Sequence, residues 1–372
     1  MNFCRSSSPY RCALLATLVV AGLSWQARAQ FTFAEDNAGN YGGVGEPGWT
    51  NTANAGTGFA AWSLASGGGT GGFGGNFLGD PNAAGISGFG TSTFSQFANS
   101  TGTGAFANAD RTLSSAMQVG DTFSFQWAIN WDSGAGGSKG FNLYTDGLGG
   151  TQLINVNNGS SATIDINGVD TGFTFGTSVM TWTFAYTSAT TLVVTANDRD
   201  GAGTYSNSFT IAGAVDAFRF YSSSMQSGAQ AQPYFNNFSL TNSGLYNVAA
   251  AQTEARFLTG SGNLAKTGNG TLTISGATNN FTGTVGITNG AIRATASSVL
   301  GSATAVTVQS GAALEYEGGI TVNRNLTING TGLSSGGALR SISGNNAHSG
   351  TLTLGGASRI AADAGTLTIS GA

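Results

Sequence analysis

The sequence predicts an all-β chain in two parts: an N-terminal jelly-roll-type β-sandwich, followed by a parallel β-helix that stops inside a repeat. Three observations lead there. Glycine supplies 60 of the 372 residues and only 8 % are charged, against averages of about 7 % and about 25 %. Aromatic residues alternate with polar ones over several short stretches of the first half. A six-residue motif, Thr-Leu-Thr-Ile-Ser-Gly, occurs at 271–276 and again at 366–371. The glycines keep no three-residue period and prolines number four, which excludes collagen. Twenty-three phenylalanines are foreign to a disordered chain.

Residues 1–29 read as a signal peptide. Arg5 and Arg11 precede an apolar run from Ala13 to Leu23, and Ala27-Arg28-Ala29 has the small-x-small form that signal peptidase cuts after. The run is too short to span a bilayer. Both cysteines, Cys4 and Cys12, lie in this leader, so the exported chain relies on burial and backbone hydrogen bonds rather than disulfides. Without Arg5, Arg11 and Arg28, ten basic residues face 17 acidic ones. A sparsely charged, mildly acidic surface argues against a nucleic-acid partner, which rewards clustered Lys and Arg. The expected location is extracellular or the outer cell surface. Association with an outer membrane would need sequence outside these residues.

Residues 30–242 are expected to form the sandwich. From Thr122 to Trp131, Phe123, Phe125, Trp127, Ile129 and Trp131 alternate with mostly polar residues, a period of two with one aromatic face. Trp182, Phe184 and Tyr186 repeat the pattern, and Phe209 with Ile211 and Phe218 with Phe220 give shorter versions. Turn signals separate them: Asp146-Gly147, Asn158-Gly159, Asn167-Gly168 and Asp200-Gly201. One-sided strands with thick aromatic faces suit two antiparallel sheets packed face to face.

Within this region, W-T-N-x-x-N-x-G-x-G-F-x-x-W from Trp49 to Trp62, G-D-T-F-S-F from Gly120 to Phe125, and F-N-N-F-S-L from Phe235 to Leu240 stand in order. That order resembles the lectin-like, concanavalin-type sandwiches of secreted bacterial proteins. Similar modules often carry Asp where this chain has Asn236.

Residues 243–256 read as a linker, because aromatic density collapses there. All five tryptophans beyond the leader precede it, and after Phe257 only Phe281 and Tyr316 are aromatic. Residues 257–372 are expected to form the β-helix. Copies of the short motif recur as Thr351–Gly355 and Leu326–Gly330, with Ala305–Val308 and Ala313–Tyr316 between them. Each strand carries a thin aliphatic stripe that stacking of coils can bury.

The run Asn263–Gly276 (N-L-A-K-T-G-N-G-T-L-T-I-S-G), then Asn280–Thr284, Asn289–Ile292, Leu300-Gly301 and Val306–Leu314, resembles the autotransporter-associated β-strand repeat, also called the passenger-associated transport repeat. Ala265 stands where Thr or Val is usual, and Ile292 where Leu is usual. The resemblance implies a secreted or surface-displayed β-solenoid of a Gram-negative bacterium.

No catalytic constellation is expected. His348, the single histidine, sits in a Gly/Asn-rich stretch that reads as a solvated loop. Glu315 and Glu317 lie two apart on a strand and read as a solvent-facing pair flanking inward Tyr316. Asn197, Asp198 and Asp200 resemble the front half of a calcium loop without the distal bidentate acid, so calcium is the one cofactor considered. Gly67–Gly75 reads as a surface loop. Trp49, Trp62, Trp127 and Trp131 could stack on sugar rings, but buried core is the commoner fate of alternating tryptophan. The leading expectation is a non-enzymatic structural or adhesive protein, a β-helix stalk carrying a sandwich. Behind it stand a carbohydrate-binding protein and a polysaccharide-degrading enzyme. Extracellular polysaccharide or cell-surface components are the expected partners. A chain that stops inside a coil is also expected to self-associate or fray there.

Overall fold

The computed structural model describes residues 30–371, apart from 101–103, 131–136, 160, 176–177, 198–202 and 277. The leader, Trp131, Asp198 and Asp200 lie outside the described residues.

The first region comprises β1 (Phe31–Asp36), β2 (Ser63–Gly67), β3 (Gly72–Gly79), β4 (Thr93–Ser100), β5 (Phe106–Thr112), β6 (Asp121–Ala128), β7 (Ser138–Thr145), β8 (Thr151–Asn158), β9 (Thr163–Ile166), β10 (Val169–Thr174), β11 (Met180–Ser188), β12 (Thr191–Ala196), β13 (Tyr205–Thr210), β14 (Ala217–Ser223) and β15 (Tyr234–Asn242). One antiparallel sheet runs β13-β12-β11-β6-β15-β4-β3, with β1 also on β15. The other runs β10-β9-β8-β7-β14-β5-β2.

The alternating stretches pair with one another. Trp182 lies opposite Phe125, and Phe184 opposite Phe123. Across the sandwich Phe125 meets Phe141 edge-on at 4.8 Å, and Phe220 stacks on Phe235 at 4.0 Å and 6°. Rings fill a thick inter-sheet space in the offset and edge-to-face arrangements their quadrupoles favour. Asn167 and Gly168 both take positive φ, 51° and 77°, as the two-residue turn joining β9 to β10 requires. The strand expected to run to Trp131 ends at Ala128, where the Asn130 side chain turns away to donate to the Ala84 carbonyl.

The second region is built differently: its strands pair in parallel, each with the coil before and after. They are β16 (Leu245–Asn247), β17 (Gln252–Glu254), β18 (Leu264–Thr267), β19 (Thr271–Ile274), β20 (Val285–Ile287), β21 (Ala291–Ala294), β22 (Val306–Val308), β23 (Ala313–Glu317), β24 (Thr321–Val322), β25 (Leu326–Gly330), β26 (Leu339–Ser343), β27 (Asn346–His348), β28 (Leu352–Ser358), β29 (Ile360–Ala362) and β30 (Leu367–Ile369). Three sheets result, β16-β18-β20-β22-β25-β28, β17-β19-β21-β23-β26-β29 and β24-β27-β30, forming a solenoid of about six turns. Leu264, Val285, Val306 and Leu326 stand in register on successive coils and are all buried.

The repeat motif explains itself in this stacking. A Cβ at Gly290 would lie 2.2 Å from the Gly270 carbonyl oxygen, and one at Gly270 would lie 2.1 Å from that of Ala250. Coils approach too closely at this corner for any side chain. Lys266 is fully buried, its ammonium donating to the carbonyls of Thr267 (2.8 Å), Gly268 (2.7 Å) and Asn289 (3.1 Å). It ties its own turn to the next coil.

Four expectations are corrected. The stretch 243–256 is the first coil rather than a linker: β16 pairs with β18 and β17 with β19. His348 is in β27, not a loop, and is wholly buried because β24, β27 and β30 add a third sheet to the later coils. Glu315 is buried, because Arg293 (2.8 Å) and Arg340 (3.5 Å) on the neighbouring coils cover its carboxylate. The two copies of Thr-Leu-Thr-Ile-Ser-Gly are not equivalent: the first forms β19 of the second sheet, the last forms β30 of the third.

Candidate functional site

The residues that sequence reasoning singled out are mostly occupied in holding the fold. Trp49, Trp62, Trp127 and Trp182 are buried, so none offers a ring to a ligand. The W-T-N motif builds an internal polar network. Asp36 pairs with Arg111, whose guanidinium also donates to Asn54 Oδ1 (2.5 Å) and lies 4.8 Å from the Trp62 ring. The Tyr41 hydroxyl donates to Asp36 at 2.6 Å and accepts from Trp62 Nε1 at 3.1 Å. Desolvation by burial, reinforced by the bond to Asp36, raises the Tyr41 pKa. Gly58 is required here: its φ is +72° and a Cβ would lie 2.0 Å from the Phe33 carbonyl oxygen. Asn236 accepts from the Ala38 amide (2.8 Å) and donates to the Ser92 carbonyl (3.1 Å). An aspartate could not make the second bond, so asparagine here is structural.

Asn197, the described member of the calcium candidates, accepts from the Thr181 amide at 2.6 Å. Among the described residues no group of three or more His, Cys, Asp or Glu side chains could hold a metal ion. A cleft of about 420 Å³ at the junction of sandwich and solenoid includes Phe33, Ser114, Arg256 and Phe257. The Arg256 guanidinium in its wall is already taken up by Asp121 and Glu254.

The outer face of the β10–β2 sheet has a different character. Strand alternation sends Phe141, Leu143, Phe218 and Phe220 inward and places Asn142, Tyr144, Arg219 and Tyr221 on the opposite face, where Asn142 and Tyr144 are buried and Arg219 and Tyr221 half-buried. The register then aligns residues from neighbouring strands into two rows. The first is Asn108, Tyr221, Gly140, Asn157, Asp165 and Asp170; the second is Asp110, Arg219, Asn142 and Asn155.

The rows are wired together. Asn155 Nδ2 donates to Asn142 Oδ1 (2.6 Å) and to the Tyr221 hydroxyl (3.1 Å). Asn142 donates to the Tyr144 hydroxyl (3.0 Å), and Tyr221 donates to Asn157 Oδ1 (2.8 Å). Arg219 grips Asp110 with two bonds of 2.6 and 2.7 Å. Burial pushes the Tyr221 hydroxyl up to about 12, against the opposing Asn155 bond. Gly140 is what lets the Tyr221 hydroxyl cross its strand, since a Cβ there would lie 1.9 Å from the Val156 carbonyl oxygen and 3.0 Å from that hydroxyl. Phe106, on the same parity as Asn108, remains 38 % exposed at the start of β5.

Sequence reasoning missed this face because it looked for aromatic runs and acids. The signal was there in the intervening positions: Lys-Gly-Phe-Asn-Leu-Tyr, Asn-Val-Asn-Asn and Phe-Arg-Phe-Tyr put amides and phenols opposite the core residues.

No protein-family model matches the sequence, and no curated protein matches it. Solved structures similar to parts of the chain include lectin-like sandwiches. A lectin from Bauhinia forficata in complex with GalNAc is 13 % identical, over 56 % of this chain and 96 % of that one, with a TM-score of 0.29. Cellulose induced protein Cip1 is 10 % identical, over 48 % and 90 %, at 0.33. A glycosyl hydrolase family protein from Mycobacterium fortuitum is 15 % identical, over 41 % and 75 %, at 0.27. Scores this low carry no argument about what this chain does.

Proposed function

We propose that this chain is an exported, non-enzymatic adhesive protein whose sandwich binds carbohydrate and whose solenoid is the stalk that presents it. The observation that supports the reading is the wired band of asparagines and tyrosines on the outer sheet face. Sugars offer hydroxyls that both donate and accept, next to apolar C–H surfaces. Side-chain amides carry a donor and an acceptor in one plane, and tyrosine joins an apolar ring to a hydroxyl. Their mutual hydrogen bonds hold them in one arrangement before any ligand arrives, which lowers the ordering cost of binding. The solenoid suits a stalk because every coil is hydrogen-bonded to the next and joined to the sandwich through buried contacts.

Screening the exported chain on a glycan array and on insoluble polysaccharides, beside a Tyr221→Ala variant, tests this. Binding that Tyr221→Ala abolishes, with the circular dichroism unchanged, is the expected result. Silence across all glycans would remove the carbohydrate reading. Release of new reducing ends would replace it with the enzymatic one.

A further inference from the structure

We infer that the outer face of the β10–β2 sheet takes an uncharged, linear polysaccharide lying across the strands; this deepens the carbohydrate reading above and rests on it. Two features of the face carry the inference.

The first is charge. Among the described residues of the two rows, Arg219 is the one cation, and Asp110 neutralises it with both carboxylate oxygens. Asp165 and Asp170 stand opposite each other at the far end of the first row with no cation in either row to balance them. Lys139 has the opposite parity and is buried. A uronic or sulfated glycan laid along the rows would bring its own negative charges to an electronegative end and find no unpaired cation in the rows. Like charges there disfavour binding. A neutral glycan carries no charge for Asp165 and Asp170 to repel, and otherwise meets amides, phenols and an ion pair.

The second is direction. The bonding groups follow the register across strands β5, β14, β7, β8, β9 and β10, not along any single strand. At the usual inter-strand distance the row is about 24 Å long, roughly the length of four or five sugar units.

Calorimetric titration of the full chain with neutral pentasaccharides (cello-, xylo-, manno- and laminaripentaose) and with galacturonate and alginate pentamers tests the proposal. At least one neutral series is expected to bind, with affinity climbing from the disaccharide to about the pentamer. Tyr221→Phe should weaken that binding about fivefold, the worth of one hydrogen bond. Thr195→Ala, on the other sheet, should leave it unchanged. Asp165→Asn combined with Asp170→Asn should improve uronate binding and spare the neutral glycan. Uronates binding as tightly as neutral pentamers, or affinity that is complete at the disaccharide, would overturn this inference and leave the carbohydrate reading standing. If neither class binds, both fall.

Discussion

Arg256 of the first solenoid coil clamps Asp121 of the sandwich, with Nη1 2.5 Å from Oδ2 and Nη2 3.2 Å from Oδ1. The same guanidinium holds Glu254 through Nε at 2.9 Å and Nη2 at 2.7 Å, and lies 3.6 Å over the Phe33 ring. Both carboxylates are otherwise satisfied: Asp121 by Asn242 and the Gln118 amide, Glu254 by the Tyr246 hydroxyl. Phe31, on β1 of the sandwich, packs edge-on against Phe281 of the solenoid at 5.4 Å. The two regions therefore share core side chains and a buried ionic knot.

Removing the cation of that knot strands two buried carboxylates. Arg256→Met is expected to destabilise the chain by about 3–5 kcal/mol. Arg256→Lys should recover little, since an ammonium cannot reproduce the fork. Urea unfolding followed by tryptophan fluorescence reports on the sandwich, which holds the tryptophans beyond the leader. A change below about 0.5 kcal/mol, the size of an ordinary surface substitution, would show that the knot adds nothing.

Lys266 joins the carbonyls of two coils, and burial pushes its ammonium down to about 8. Lys266→Met leaves three buried carbonyls without that donor and should cost about 1–3 kcal/mol at pH 7. A folded-state value below the unfolded one means the unfolded chain binds more protons between them. The wild type should therefore gain stability relative to Lys266→Met as pH rises from about 8 toward 10.4. Parallel unfolding curves for the two proteins at pH 7, 8.5 and 9.5 measure this; a constant gap would contradict it.

His348 has its Nδ1 2.8 Å from the Tyr316 hydroxyl, and its Nε2 is buried. Desolvation holds its pKa below the ordinary value, against an opposing bond to the Thr351 backbone. Stability from the neutral ring is present above about pH 6.5 and is lost as pH falls below that value, because the unfolded chain takes up the proton first. Thermal unfolding at pH 7.5 and pH 5 should show a fall in Tm for the wild type that is smaller in His348→Gln. Equal falls in the two would place the acid sensitivity elsewhere.

In the last coil Leu354 is 57 % exposed, and Ile360 and Ile369 are 39 % exposed, whereas their counterparts Ile328, Leu339 and His348 on the preceding coil are fully buried. For the 372-residue chain, amide protection is expected to drop from about Leu352 onward, with association at high concentration through these side chains. Hydrogen exchange with mass detection, alongside sedimentation, checks it. A monomer protected through Ile369 would refute it.

The sequence alone determined the class of each half, because the signal is local. A period of two in Phe123, Phe125 and Trp127 specifies a one-sided strand, and glycine and aliphatic residues recurring along the second half specify stacked coils. It also marked where aromatic density falls. What it did not determine is what each polar side chain meets, since partners come from strands far apart in the chain. Glu315 became buried because Arg293 and Arg340 arrive from adjacent coils, 22 residues before it in the first case. His348 became interior because a third sheet opens at Thr321, and the second copy of the hexapeptide lies in that sheet while the first lies in another. Asn142, Asn155 and Tyr221 are unremarkable in the sequence, spaced 13 and 66 residues apart. Only antiparallel pairing brings them within 3.1 Å and makes a surface of them. Pairing along a strand is written in neighbouring residues, whereas pairing across strands depends on register, which the packed core decides.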